Sequence, residues 1–173
     1  MPELCLRLLL LLAAAGYSCE QTTNLAGGKA LTQPIDSLVV FKSKRIMHAY
    51  ASNSISKSYK ISLGGNPVGH KQFQGDNKTP EGLYFINEKN PDSRFHKSLG
   101  ISYPNEQDRV FAQAQGKSPG GDIMIHGLPN GLEEWEDYYA STDWTLGCIA
   151  VNNCEIDELF NFVGIGTPIR IKP

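Results

Sequence analysis

The stretch that decides the fold is SLVVFKSKRIMHAYASNSISKSYKISLG, residues 37 to 64. Three runs within it, SLVVFK, RIMHAYA and YKISLG, are apolar, β-branched or aromatic, and polar turns separate them. Short runs of this kind favour the pleated, half-buried surface of a sheet, so three in succession predict an antiparallel meander. Working outward, TPEGLYFINEK (79 to 89) places a Pro-Glu-Gly turn before a further strand. GDIMIHG (121 to 127) reads as a buried strand ending at His126, and GTPIRIKP (166 to 173) as a closing strand. Two segments carry helical signals instead. NEQDRVFAQAQG opens on Asn105, a capping residue, and closes on Gly116. NNCEIDELFNFVG has Asn152 followed three residues later by Glu155, then Ile156, Leu159, Phe160 and Val163 at helical spacing. The expected fold is mainly β, a mixed β-sheet sandwich with two or three short helices.

Composition fits one such domain. A chain of 173 residues with 40% hydrophobic and 20% charged residues is long enough for one real core and too short for a second. Seventeen Gly and ten Pro suit a strand-rich chain with frequent turns rather than a helical bundle. The net charge of −2 leaves no basic surplus, which argues against nucleic acid as a partner.

The amino terminus is of another kind. MPELCLRLLLLLAAAGYSC (1 to 19) has one Arg ahead of an apolar run from Leu8 to Ala15, too short for a stable membrane span and followed by small residues. Residues 1–18 are therefore expected to be an export signal and the protein to reside in the periplasm or cell envelope. A cut before Cys19, between the small residues Gly16 and Ser18 and the cysteine, would leave that thiol for lipidation and anchor the chain to a membrane. Cleavage after Ala15 is the alternative. Residues 19–36, small and polar with Gly27 and Gly28, are expected to form a flexible tether ahead of a domain over 37–173.

Export bears on the four cysteines. Cys5 and Cys19 belong to the signal or its cut, leaving Cys148 and Cys154 in the domain. An oxidising compartment allows a bridge between them. Nothing in the sequence forces one, because Cys154 falls in a first helical turn and Cys148 precedes it. Their spacing is also wrong for paired zinc ligands and no second His lies near His126, so no metal or other cofactor is expected.

Cys148 stands in STDWTLGCIAVNN (141 to 153) and is either core filler or a nucleophile. A thiol becomes a useful nucleophile when a base takes its proton and backbone N–H groups receive the oxyanion. Gly147 permits close approach of the backbone, and the amides of Gly147 and Cys148 are candidate oxyanion donors. His126, at a strand end before Gly127, is either a hydrogen-bonded strand terminus or the base. If it is the base, an imidazole–thiolate pair is expected, reactive well below the ~8.5 of a free thiol.

With HG after a buried strand and then TLGCIAV, the chain resembles the L,D-transpeptidase catalytic domain family, cysteine enzymes acting on bacterial peptidoglycan. GGNPVGHKQFQGDNKTPEGLYFI (64 to 86) and FHKSLGISYPN (95 to 105) match the branch with Asp-Trp-Thr before the Gly-Cys. The resemblance covers residues 37–173 and implies the sandwich of that family. It places the nucleophile on Cys148, the general base on His126, the carbonyl that orients the imidazole on Gly127, and oxyanion donors on Gly147 and Cys148. The commoner family pattern has His and Arg where Leu146 and Ala150 stand here, and a shorter interval than LPNGLEEWEDYYASTDW between histidine and cysteine.

The implied reaction is acyl transfer from a peptidoglycan stem peptide through a Cys148 thioester. The acceptor is an amine of a second stem, an amine of a wall-linked lipoprotein, or water, the last making the protein a hydrolase. A wall-binding lipoprotein without activity is the rival reading, against which the intact His126, Gly147 and Cys148 speak. Carboxylate-rich stems call for cationic partners, for which His70, Lys71 and Lys78 are candidates beside the alternative of a polar turn in which Asp76 pairs one lysine. Asp143 and Trp144 are expected either to hold the catalytic turn or to line the pocket, with plain core packing the alternative for Trp144.

Overall fold

A computed structural model describes residues 30–173. The export signal, Cys5, Cys19 and most of the expected tether lie outside them. Its strands are β1 (Ser37–Phe41), β2 (Ile46–Ala51), β3 (Ser54–Lys60), β4 (Gly82–Ser93), β5 (His96–Ile101), β6 (Met124–His126), β7 (Ile149–Ala150) and β8 (Pro168–Lys172). Its helices are α1 (Glu106–Ala114), α2 (Glu136–Ser141) and α3 (Asn153–Phe162). The strands form one mixed sheet in the order β3-β2-β1-β8-β4-β5-β6-β7, with β1 parallel to β8, β6 parallel to β7 and the other pairs antiparallel.

Two features curl that sheet into the expected two-faced sandwich. The long strand β4 pairs with β8 through Gly82–Phe85 and with β5 beyond Ile86, changing register at Ile86/Glu88. At the opposite edges, the chain leaving β3 meets the far end of the sheet, where Ser62 bridges Ala150 and Gly64 bridges Thr145. Alternating side chains then fill the inside. Leu38 and Val40 of β1, Met47 and Ala49 of β2, Leu99 of β5, Ile125 of β6, Ile149 of β7 and Ile169 and Ile171 of β8 are all buried there. Helix α3 closes the core with Ile156 and Leu159.

Both expected helix starts are present as full capping boxes: Asn105 with Asp108, and Asn152 with Glu155. The meander differs in its third member. Ser52 and Asn53 both have positive φ and make a two-residue hairpin, so β3 begins at Ser54, and none of its first five residues is buried because they form an outer edge. Ile61 and Leu63, expected in that strand, lie beyond it in the crossing to β7, where both are buried. Two residues of the segment expected as tether are docked instead. Leu31 and Ile35 are buried in the core, Ile35 N–H donates to Phe162 O at 2.9 Å, and Leu31 N–H donates to Glu158 Oε1 at 2.7 Å. Two apolar residues four apart are enough to dock an otherwise polar segment on α3.

Candidate active site

The parallel pair β6–β7 brings the two candidate catalytic residues onto one face of the sheet. Its register sets Ile125 opposite Ile149 and His126 opposite Ala150. Both isoleucines are fully buried in the core, so by alternation His126 and Ala150 face the other way. Cys148, two residues before Ala150, shares that outer face and is the diagonal neighbour of His126, a separation that side chains span. The segment 128–145, including α2, covers this face. Trp144 packs edge-on against His126 with ring centres 5.5 Å apart, Phe95 lies 4.5 Å from the imidazole on another side, and Tyr139 packs on Trp144 at 4.8 Å.

The imidazole is thereby held in one orientation and one tautomer. Its Nδ1 lies 2.8 Å from Gly127 O. A carbonyl only accepts, so Nδ1 carries the hydrogen and Nε2 keeps its lone pair. Gly127 has no room for a side chain, since a Cβ there would sit 2.6 Å from Asn153 Oδ1 and 3.0 Å from Ile156 Cγ2.

Burial disfavours the charged form of both groups and so works against the expected ion pair. Burial drops the His126 pKa to about 4, outweighing the Gly127 hydrogen bond that raises it. Burial likewise pushes the Cys148 thiol up, with Asp122 adding to the rise and the Met124 amide and Lys71 opposing it. The S–H donates to Asp122 O at 3.4 Å. Cys148 is a free thiol and no bridge joins it to Cys154.

The residues before the cysteine build its turn. Asp143 is gripped by Arg45, whose Nε donates to Oδ1 at 2.9 Å and whose Nη2 donates to Oδ2 at 2.6 Å, and it also accepts from Leu63 N–H at 3.0 Å. Asp143 is thereby tied into the turn, and with Arg45 it also lines a cavity of about 200 Å³. Trp144 forms one wall beside His126. Thr145, 5% exposed, accepts from Gly147 N–H at 3.1 Å and donates its own hydroxyl hydrogen to Cys148 O at 2.8 Å. The Gly147 amide, a candidate oxyanion donor, is thus already engaged. Gly147 itself has φ +135°, and a Cβ there would lie 2.7 Å from Lys78 O.

The basic candidates divide. Lys71 is buried and bonded to Asp76 at 2.8 Å and Phe73 O at 3.0 Å, which is the polar-turn alternative. His70 bridges Glu81 N–H and Asp108 Oδ1 at 2.9 and 3.0 Å in a separate knot with Tyr84. Lys78 stays partly exposed, and among the described residues it has no ion-pair partner. A cleft of about 490 Å³ runs from Lys71 and Asn77 past Asp122 to Leu146, the neighbour of Gly147. Arg45, Phe95, Asp122 and Thr145 are site residues that sequence reasoning missed. Thr145 alone had a local signal, as a hydroxyl in an otherwise apolar turn.

Residues 36–171 match the family model described as the L,D-transpeptidase catalytic domain. The chain is similar, at 31% identity over 91% of its length, to an Escherichia coli (strain K12) protein named "Putative L,D-transpeptidase YafK", of which it spans 63%. It is also similar to the crystal structure of the helical cell shape determining protein Pgp2 from Campylobacter jejuni, with TM-score 0.61, 25% identity, and coverage of 90% of this chain and 55% of that one. Bd1075 of Bdellovibrio bacteriovorus aligns with TM-score 0.54 at 25% identity, covering 83% of this chain and 52% of its own. The chain thus spans between half and two thirds of the length of these relatives. With a match across most of its length, the chain belongs to the L,D-transpeptidase catalytic domain family.

Proposed function

We propose that this domain is a cysteine acyltransferase that acts on peptidoglycan stem peptides in the cell envelope. The observation that carries the reading is the His126–Cys148 pair: a free thiol on the same sheet face as an imidazole whose Nε2 is the acceptor. In the first step Sγ attacks the carbonyl carbon of the amide between the third and fourth stem residues, and its proton passes to His126 Nε2. The C=O π pair moves to oxygen, where the Cys148 amide receives it, joined by Gly147 once that amide leaves Thr145. Collapse re-forms the carbonyl and breaks the C–N bond, and imidazolium returns its proton to the departing amine. A thioester remains on Cys148. An acceptor amine, deprotonated by His126, then restores the thiol and forms a new amide; water in its place gives hydrolysis.

The test is intact-protein mass spectrometry after incubation with a purified stem tetrapeptide. A tripeptide acyl adduct on the protein, absent in Cys148→Ala, is expected. Binding to peptidoglycan with no adduct at any time would instead favour the wall-binding reading. Export and lipidation at Cys19 belong to the same proposal, and Cys19→Ser should move the protein from the membrane fraction to the soluble envelope fraction. Wild-type protein already soluble would refute the lipid anchor.

A further inference from the structure

The turn between β4 and β5 carries the Phe95 ring that covers one side of the His126 imidazole, and this turn is strained. Ser93 and His96 pair across its ends, with Arg94 and Phe95 between them. His96 has φ +65°, the left-handed position that hairpins of this kind ordinarily give to glycine. A residue with a Cβ costs about 1–2 kcal/mol there, and it persists only where the surroundings over-determine it.

One residue supplies most of that support. Asn130 Oδ1 accepts from the His96 N–H at 2.7 Å, its Nδ2 donates to Ser93 O at 3.1 Å, and its own N–H donates to Arg94 O at 3.1 Å. Three of the four residues from Ser93 to His96 are thus bonded to Asn130. Phe95, the fourth, is fixed in consequence. Its N–H donates to Ser93 Oγ at 3.1 Å, and its O accepts from the Gly127 N–H at 3.0 Å, a hydrogen shared with Lys97 O at 3.3 Å. Gly127 O in turn accepts from His126 Nδ1. Phe95 therefore reaches the imidazole by two routes: directly, with its ring 4.5 Å away, and through Gly127. The His96 ring is anchored elsewhere, its Nε2 lying 2.8 Å from Asp157 Oδ1 on α3. Asn130 itself stands in LPNGLEEWEDYYASTDW, the interval that is longer here than in the commoner family pattern.

We propose that Asn130 is a positioning residue for His126: by pinning the Ser93–His96 turn it keeps the Phe95 ring against the imidazole and the Phe95 carbonyl on the Gly127 amide. Orientation and dryness of the base then both depend on Asn130. Burial is the leading cause of the low His126 pKa and the Gly127 hydrogen bond opposes it, so a loosened turn that admits water raises the proton affinity of the imidazole. Cys148 is the titratable group on the same sheet face as the imidazole, and the ion-paired His96, Lys97 and Asp157 lie on the Gly127 side. The benefit to proton transfer rests on the acyl-transfer reading. The positioning itself does not.

The test reads the imidazole without substrate. The chain has four histidines, of which His48 and His70 serve as controls. In 1H–13C ring spectra of the whole protein across pH, the His126 midpoint should rise in Asn130→Ala by at least about one unit toward 6.5, a gain of about tenfold in proton affinity. The ring signals of His48 and His70 should stay where the wild type has them. Asn130→Asp keeps an acceptor for the His96 N–H but has no N–H for Ser93 O, and should shift the His126 midpoint less in the same direction; if Asn130→Ala does not fold, this variant decides. Acylation by stem tetrapeptide should slow about tenfold in Asn130→Ala although the base has become stronger, because its orientation is lost. An unmoved His126 midpoint in the folded variants would overturn the proposal, whether or not acylation slows. A raised midpoint with no adduct on any protein, wild type included, would support the positioning and refute the acyl-transfer reading instead.

Discussion

Lowering the His126 imidazole from its ordinary 6.5 to about 4 costs its protonated form about 3 kcal/mol at ~1.36 kcal/mol per unit, and the upward push of burial on the Cys148 thiol works in the same direction. An imidazolium–thiolate pair is therefore a minor form before substrate binds. Alkylation of Cys148 by iodoacetamide should therefore rise with pH like a thiol less acidic than free cysteine, with no plateau between pH 5 and 8. Replacing His126 with Ala should leave that resting profile nearly unchanged, yet slow acylation by stem tetrapeptide about a hundredfold or more, the usual scale of general base catalysis. The assay is mass-resolved alkylation across pH, paired with acylation kinetics in the same variants. A low-pH alkylation plateau in the wild type that disappears in His126→Ala would refute this reasoning, because it requires a preformed imidazolium–thiolate.

The turn itself gives two more expectations. Thr145→Val removes the hydroxyl that satisfies both Gly147 N–H and Cys148 O at a buried site, so urea unfolding should show a loss of about 2–5 kcal/mol and acylation should fall with it, while Thr145→Ser restores most of both. Arg45→Lys keeps the charge but not the two-pronged contact to Asp143, and should cost about 1 kcal/mol in the same measurement while slowing acylation; a variant indistinguishable from wild type in both would show that Asp143 is held by Leu63 alone.

What could be read in the sequence was what short-range chemistry controls. A capping box spans four residues, so the starts of α1 and α3 were visible at Asn105 and Asn152. Period-two burial marked β1, β2 and β8, and a strand ending in His-Gly marked β6. The start of β3 escaped because an outer edge carries only the single exposed Ile55 as an apolar signal before Tyr59. Strand β5 escaped because the polar residues His96, Lys97 and Ser98 open it. The docked residues Leu31 and Ile35 escaped because two apolar side chains in a polar segment form no pattern. Arg45 could not be tied to Asp143 by any local rule, since 98 residues separate them and only the curl of the sheet joins them.

The same distinction explains why the two residues of the proposed reactive pair stood out in the sequence while the surroundings that set their charge did not. His126 and Cys148 are announced by their neighbours in sequence, Gly127 and Gly147, which allow backbone where side chains would collide. Their protonation depends on Phe95, which comes from the turn before β5, and on Trp144, whose ring folds back over the imidazole, and the two remove water from it. A base so dried is a weak base at rest, yet the same dryness strengthens every interaction it makes once a charge develops nearby. Thr145 acts in the same sense, holding the Gly147 amide until something binds it better. Both features defer the reactive state until substrate is seated, and they shield the resting thiol, because a neutral thiol oxidises more slowly than a thiolate.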